Sequence, residues 1–293
     1  MIATGGAWDA HEPNVYFIAA GISDQLVGMQ SHTHMLCAMN DINTEEDIRA
    51  LRAFVGQGKR VFIDSGVYSL SMRHAEANGM TFFEALGVAP SAVLGFSDLY
   101  DKYVALIQSI GSKVWGYIEL DQGGRDNKIA TRAKLEALGL RPIPVYHPMT
   151  DGWDYFDYLA QRYDRIAFGN VVQAERSTRL RLVATAWERK QKYPNLWIHM
   201  LGLTPNETLN AFPLNSCDSS TWLGDVRWPD RYHSQCALQF FSRMGNRFAY
   251  RRAPDQSESP TGHRKARRLG GYEAHLLMLN WRSLQADYAQ AST

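Results

Sequence analysis

Three aspartates stand where short apolar segments of the sequence end. Asp64, Asp121 and Asp218 each close a segment of strand length. Carboxylates in pairs carry out glycosidic chemistry, in which one attacks or stabilises the anomeric carbon and another transfers a proton at the leaving group. A single aspartate in such a position is often only the cap of the next helix. Three that meet at one rim of a sheet indicate a catalytic site.

The elements that must position these carboxylates follow from hydrophobic patterning. The predicted strands are short and mostly apolar on both faces, which is typical of a parallel sheet covered by helices. They are Val15–Ala19, Met35–Met39, Val61–Asp64, Val114–Asp121, Ile143–His147, Arg165–Gly169, Leu196–Leu203 and Leu214–Asp218. The predicted helices are Thr44–Gly56, Ser97–Ile110, Asn127–Leu140, Trp153–Tyr163, Ser177–Tyr193 and a last packing helix, Tyr272–Tyr288.

This alternation predicts an α/β fold, specifically a (β/α)8 TIM-type barrel with a basic C-terminal insertion and a final packing helix. A doubly wound open sheet produces the same alternation and remains the alternative. In both architectures the active residues lie at the carboxyl ends of the strands. We expect one domain, in which residues 1–242 form the barrel and residues 243–293 complete it.

Composition excludes several classes of protein. The 293 residues are 45% hydrophobic and 21% charged, which is close to the globular average and excludes a disordered or fibrous chain. No apolar run approaches the ~20 residues that a membrane span needs, and no signal peptide is visible at the N-terminus. The three cysteines are far apart in the sequence. We therefore expect a cytoplasmic protein, located in the host cytoplasm if a phage encodes it.

Positive charge is concentrated in one segment near the C-terminus. Between residues 243 and 268, eight basic residues face two acidic ones, a net charge of +6 in a chain whose total is +1. The basic residues are Arg243, Arg247, Arg251, Arg252, Arg264, Lys265, Arg267 and Arg268. Such a block on an acidic body indicates an anionic partner and suits phosphate contacts to a nucleic acid. A solvated charge run is the alternative.

Six predicted strand ends carry short motifs of polar residues and glycine. They are Asp64-Ser65-Gly66-Val67-Tyr68, Glu119-Leu120-Asp121-Gln122, Tyr146-His147-Pro148, Phe168-Gly169-Asn170, His199-Met200-Leu201-Gly202 and Cys217-Asp218. Their order resembles the tRNA-guanine transglycosylase superfamily (queuine and archaeosine tRNA-ribosyltransferases) from about Val61 to Trp222. Members of that superfamily, including a phage and bacterial branch that acts on DNA, replace guanine in a nucleic acid with a 7-deazaguanine base.

The resemblance implies the catalytic roles. Asp218 matches the nucleophilic aspartate that forms the covalent glycosyl intermediate, and Asp64 matches the general acid/base. Tyr68 matches the aromatic residue that stacks on the base. Ser65 and Gly66, in the same motif as Asp64, are expected to bind the substrate.

The resemblance also implies how the base is recognised. Asp121 falls where the family reads the guanine edge, and Gly169 falls where a backbone N–H contacts the base carbonyl. Leu201 and Gly202 fall on the strand that covers the opposite face of the base. His147 stands near the position of a base-binding glutamine, which is a departure from the family pattern.

The C-terminal part departs from the tRNA enzymes. It lacks their Cys-x-Cys-x-x-Cys zinc motif, and His233, Cys236, His263 and His275 match no common zinc spacing, so we expect no metal and no cofactor. A short chain with a basic segment favours the DNA branch. The expected partners are DNA, a 7-deazaguanine such as preQ0 as co-substrate, and a second copy of the chain in a homodimer.

Three other functions remain open at this point. The same base exchange on tRNA would use the same carboxylates. A barrel glycosidase acting on sugars would use them without needing the basic segment or Asp121. A non-catalytic barrel could bind nucleic acid as one subunit of a larger complex, although the presence of both Asp64 and Asp218 argues for activity.

Overall fold

The computed structural model describes residue 4 and residues 15–19, 34–204 and 207–220. The strands are β1 (Val15–Ala19), β2 (His34–Ala38), β3 (Arg60–Asp64), β4 (Gly116–Tyr117), β5 (Val145–Tyr146), β6 (Arg165–Phe168), β7 (Trp197–Met200) and β8 (Ser216–Ser219). The α-helices are α1 (Glu45–Gly56), α2 (Val67–Asn78), α3 (Phe82–Gly87), α4 (Phe96–Ile110), α5 (Gly124–Ala137), α6 (Trp153–Ala160), α7 (Arg176–Lys190) and α8 (Glu207–Ala211). Short 3-10 turns cover Met39–Asp41 and Pro90–Ala92.

The strands form one eight-stranded sheet in the order β4-β3-β2-β1-β8-β7-β6-β5. Every pairing within it is parallel, including the pairing of β1 with β8. The predicted α/β class with a parallel sheet is therefore confirmed. Several strands are shorter than predicted, and the segment expected to be β-structure from 114 to 121 pairs as a strand only at Gly116–Tyr117.

The two outer strands of this order, β4 and β5, meet through an isolated parallel bridge between Ile118 and Ile143. Two backbone bonds flank the bridge, from Ile143 N–H to the Tyr117 carbonyl (2.8 Å) and from Glu119 N–H to the Ile143 carbonyl (3.0 Å). The next bond comes from a side chain, because Glu119 Oε1 accepts the Val145 N–H at 2.6 Å. The buried Arg132 guanidinium holds the other Glu119 oxygen at 2.6 Å. A side-chain ion pair thus supplements the backbone at this junction.

The strands bury both of their faces. One cluster consists of strand residues and residues next to strands, with no helix residue among its buried members. It contains Val15, Phe17, Leu36, Phe62, Trp115, Ile118, Ile143, Val145, Ala167 and Trp197. A larger cluster joins the opposite strand faces to the helices. Burial on two sides explains why the strands read as continuous apolar runs.

Helix starts follow local sequence signals, and two helices near the site were not predicted. Thr44 caps α1 in a capping box with Asp47. A second capping box, Thr81 with Glu84, starts α3 and was visible in the sequence. Helix α2 starts at a left-handed Gly66 and lacks a side-chain cap, so its start carried no signal.

Part of the prediction lies outside the described residues. This applies to the domain segment 243–293, with its basic insertion and its final helix Tyr272–Tyr288. Within the ranges that the structure describes, no helix combines the length and the apolar character needed to cross a membrane.

Candidate active site

A cavity of about 450 Å³ opens at the carboxyl ends of the strands. Residues at the ends of β1, β2, β3, β6, β7 and β8 and the residue Asp121 after β4 line it. Eight of the predicted site residues are among the lining: Asp64, Ser65, Tyr68, Asp121, Gly169, Leu201, Gly202 and Asp218. Gly66 and His147 are not. The three carboxylates that the sequence singled out therefore share one cavity.

Asp64 has an unusual affinity for protons. Desolvation by burial, followed by the negative charges of Asp121 and Asp218, raises its pKa from 3.8 to about 7. Two N–H groups work against this shift, and that of Gly66 lies 3.3 Å from Oδ2. A carboxyl group with this pKa is present in both protonation states near neutral pH, which is the property that a general acid/base needs.

Gly66 supports Asp64 from outside the cavity. It adopts a left-handed conformation (φ +80), and a Cβ there would lie 2.9 Å from the side chain of Asn40. Asn40 in turn donates its Nδ2 to the Gly66 carbonyl at 3.0 Å. Gly66 therefore shapes the turn and holds Asp64, and its contact with the substrate stays a prediction.

Asp218 is held by one of its two oxygens. Oδ1 accepts the Gly202 N–H at 2.9 Å and lies 3.0 Å from His199 Nε2. The other ring nitrogen of His199 lies 2.7 Å from the Ser216 hydroxyl, which fixes the ring. Since both bonds go to Oδ1, Oδ2 is the oxygen left to face a ligand in the cavity.

Gly202 helps to hold the Asp218 carboxylate in place. Its φ of +69 lies in the left-handed region, where glycine is favoured, and this conformation directs its N–H at Asp218. Gly202 also lines the cavity beside Leu201, as predicted. Leu201 packs on the cluster of strand residues that contains Phe17, Phe62 and Trp197, and it presents an apolar surface to a ligand.

Asp121 is positioned by two neighbours. Ser65 Oγ lies 3.4 Å from Oδ1, and His147 Nε2 lies 2.9 Å from Oδ2. The same Ser65 oxygen accepts the Val67 N–H at the start of α2, at 3.3 Å. Ser65 therefore lines the cavity as predicted, with its hydroxyl committed to the protein.

His147 lies behind Asp121 and is only 2% exposed. Burial and the nearby Lys128 charge lower its pKa, so the ring is neutral at pH 7. Lys128 Nζ lies 3.4 Å from Nδ1, which leaves the proton on Nε2 to be donated to Asp121. His147 therefore lies outside the cavity lining and holds Asp121, and its predicted part in binding the substrate stays a prediction.

A buried ion pair fixes this histidine in turn. Lys128 pairs with Asp151, and both side chains are almost fully buried. The same Asp151 oxygen accepts the His147 N–H at 2.7 Å, and Lys128 also donates to the Val145 carbonyl at 3.1 Å. Lys128 and Asp151 were not predicted as site residues, since charged residues of a helix and a loop are ordinarily solvated.

Gly169 does not make its predicted contact. Its N–H donates to the Tyr146 carbonyl at 3.0 Å as part of the β5–β6 pairing, so this donor is not available to a base. Gly169 has another function, because a Cβ there would lie 2.6 Å from His147 Cδ2. The missing side chain leaves room for the histidine ring.

We expect Gly169→Ala to disturb Asp121 through this ring. The methyl group displaces His147, which costs about 1–3 kcal/mol of unfolding free energy and weakens ligand binding at Asp121. Urea denaturation and calorimetric titration with guanine measure the two effects. Gly56→Ala is the matched control, because nothing lies within 4 Å of a Cβ at that position. Equal stability of the two variants would contradict the assignment.

Aromatic rings form one wall of the cavity. Tyr68 is 53% exposed, and its ring centroid lies 5.1 Å from that of Phe82. Phe82 opens helix α3, which Gln122 anchors by donating to the carbonyls of Ala85, Leu86 and Val88 at 2.8–3.0 Å. The sequence analysis identified Tyr68 but missed Phe82, because α3 was not predicted.

Asn170 is a further residue of the lining that the sequence analysis did not select. It follows Gly169 directly and has a φ of +63. Its side chain is buried, and its Nδ2 has no hydrogen-bond partner among the described residues. An asparagine next to a predicted strand end was the only sequence signal.

Comparison of the sequence with protein-family models and with curated proteins finds no match.

The remaining predicted site residues lie outside the described residues. These are the eight basic residues between 243 and 268 and the weak zinc candidates His233, Cys236, His263 and His275. In the described part of the chain, no group of three or more His, Cys, Asp or Glu side chains is arranged to hold a metal ion.

Proposed function

We propose that this protein is a transglycosylase that exchanges guanine in DNA for a 7-deazaguanine base through a covalent Asp-glycosyl intermediate. One observation carries the proposal: Asp64, with a pKa of about 7, shares a cavity with the anchored carboxylate of Asp218. A proton donor and an ionised nucleophile in one cavity are what a double displacement at a sugar carbon requires.

The first displacement joins the sugar to the protein. Asp218 Oδ2 attacks C1′ of the target nucleotide while the bond from C1′ to guanine N9 breaks. Protonated Asp64 delivers its proton to the leaving base. The transition state has oxocarbenium character, which the negative charge of Asp218 stabilises.

The second displacement reverses these roles. The incoming 7-deazaguanine gives its N9 proton to ionised Asp64 and attacks C1′, and the bond to Asp218 breaks. Two displacements at one carbon retain its configuration. Neither step requires a cofactor, and the DNA backbone stays intact.

The cavity wall supports recognition of a purine. Asp121, oriented by His147, accepts from the N1–H and N2–H of guanine. Tyr68 and Leu201 cover the two faces of the ring, and stacking on an aromatic side chain contributes about 1–3 kcal/mol for each base. This pairing of an acceptor with two covering side chains suits guanine and its 7-deaza analogues such as preQ0.

We propose that the sheet closes into a (β/α)8 barrel. The pairing of β1 with β8 and the bridge between Ile118 and Ile143 support closure, because together they join every strand to two neighbours. The position of the cavity at the carboxyl ends of the strands also agrees with this architecture.

DNA is the polymer that the sequence favours. The basic segment would hold phosphates over the rim of the cavity, and the target base would be flipped out or lie in a single strand. The same exchange on tRNA is the alternative substrate. A homodimer in the cytoplasm is the expected setting.

A base-exchange assay tests the proposal. Purified protein is incubated with radiolabelled guanine and with duplex DNA, single-stranded DNA or bulk tRNA in parallel. We expect label to enter DNA. Label in tRNA alone would keep the mechanism and overturn the choice of polymer, whereas no label in any polymer would contradict transglycosylase activity.

A further inference from the structure

Asn170 combines three features that together indicate a role in ligand binding. It lines the cavity, and its residue exposure is only 7%. Its backbone has a φ of +63, the one positive φ of a residue other than glycine in the described ranges. Within the part of the chain that the structure describes, its Nδ2 is buried without a hydrogen-bond partner, although such donors are almost always paired.

A strained backbone and an unpaired hydrogen-bond donor in one residue indicate a role in ligand binding. Asparagine tolerates the left-handed region better than most residues, but this conformation is uncommon outside glycine. An unpaired buried amide also loses the hydrogen bonds that it would make with water. Residues in sparsely populated backbone conformations cluster at active sites and at sites that hold ligands.

The proposed substrate needs a hydrogen-bond donor as well as an acceptor from the cavity lining. The guanine edge presents the N1–H and N2–H donors and, beside them, the O6 acceptor. Asp121 accounts for the two donors. The predicted partner of O6 was the Gly169 N–H, which is already bonded to Tyr146 at 3.0 Å. His147 donates to Asp121 and lies behind it.

We propose that Asn170 Nδ2 donates to O6 of the bound guanine and of the incoming 7-deazaguanine, and so selects 6-oxopurines. This inference rests on the proposed function. The side chain stands after β6, and Asp121 stands after β4, so the two groups approach the base from separate strands. Together they match the donor and acceptor pattern of the guanine edge.

The assignment also explains the left-handed backbone. The sheet occupies the Gly169 N–H, and the next residue along the chain carries a donor on its side chain. The left-handed turn after the strand gives the Asn170 side chain its place in the cavity lining. Asn170 is thus a specificity-determining residue that lies one position after the predicted one.

Calorimetric titration of the full chain with two bases tests the proposal. Guanine and 6-thioguanine share N1–H and N2–H, but sulfur is a much weaker acceptor than oxygen. Asn170→Gly removes the donor and suits the left-handed backbone, so the fold is kept. We expect this variant to bind guanine about tenfold more weakly and to bind 6-thioguanine within about twofold of the unaltered protein.

A second variant guards against a change in cavity shape. Asn170→Asp keeps the side-chain volume and the tolerance for positive φ but replaces the donor with an acceptor. We expect it to weaken guanine binding more than Asn170→Gly does, and equal or tighter binding would overturn the donor role.

The outcomes separate this inference from the proposed function. If the unaltered protein binds neither base, both are overturned. If Asn170→Gly keeps its affinity for guanine, only the role of Asn170 is overturned. An equal loss for guanine and 6-thioguanine would mean that Asn170 shapes the cavity without donating to O6.

Discussion

Asp218→Asn is expected to abolish base exchange, with a fall in rate of about 10⁴-fold or more. The amide cannot form the covalent bond to C1′. Its oxygen can still accept from Gly202 and His199 as Oδ1 of Asp218 does, so the surrounding structure is kept. Single-turnover transfer of labelled guanine measures the loss.

Two further readouts assign this loss to the chemical step. Guanine affinity should stay within about threefold of the unaltered protein, because Asp121 and Tyr68 are unchanged. A DNA–protein adduct should survive denaturation in the unaltered protein and be absent in the variant. Asp154→Asn, which removes a carboxylate paired with Arg125 at the surface, is the matched control. Exchange by Asp218→Asn at a normal rate would exclude Asp218 as the nucleophile.

Asp64→Asn is expected to inactivate the protein and, at pH 8, to stabilise it. Burial raises the pKa of Asp64 from 3.8 to about 7, so the folded state resists its ionisation. That shift corresponds to about 4 kcal/mol. Because the carboxyl borders an open cavity, we expect solvent to reduce this to about 2 kcal/mol. The neutral amide carries no such penalty.

The stability that Asp64→Asn gains depends on pH, and the direction of the pKa shift determines how. A raised pKa in the folded state favours folding at low pH, and this contribution is lost as the pH rises from 3.8 through about 7. The advantage of Asp64→Asn should therefore grow by about 1 to 2 kcal/mol between pH 5 and pH 8 and then level off. Urea denaturation of both proteins across this range measures it. An advantage that does not change with pH would contradict the raised pKa.

The sequence was most informative where each strand ended. Apolar runs followed by Asp64, Asp121 and Asp218 were sufficient to place three carboxylates in one cavity, because parallel strands end on the same side of a sheet. Glycine after a strand was also a correct sign of close packing. At Gly169, however, the close neighbour is the His147 ring.

Hydrogen-bond allocation could not be predicted in the same way. Whether the Gly169 N–H is available depends on the register between β5 and β6, which pairs Tyr146 with Phe168. That register is set by the packing of the whole sheet. The same limit explains why the contact of His147 with Asp121 was not predicted and why Asn170 was not selected.

The burial of charged side chains was the other feature that could not be predicted from the sequence. Lys128 and Arg132 are four residues apart on α5, and both side chains are buried. By the usual pattern, lysine and arginine at this spacing indicate a solvated helix face. Their partners, Asp151 and Glu119, lie elsewhere in the chain, so only the folded structure reveals that the charges are neutralised.

The junction between β4 and β5 has a consequence for dynamics. Its isolated bridge contrasts with the pairing of β2 and β3, which aligns five residue pairs. Fewer backbone bonds must break there for the sheet to open locally, so this junction is a natural place for slow breathing.

If a base binds as proposed, to Asp121 after β4 and to Asn170 after β6, it reaches across this junction. Such a base would hold the two sides of the junction together. Ligand release and local opening would then be linked equilibria, and the empty protein would exchange its amide hydrogens there faster than the occupied one. Substrate occupancy would then determine how often the sheet opens at this junction.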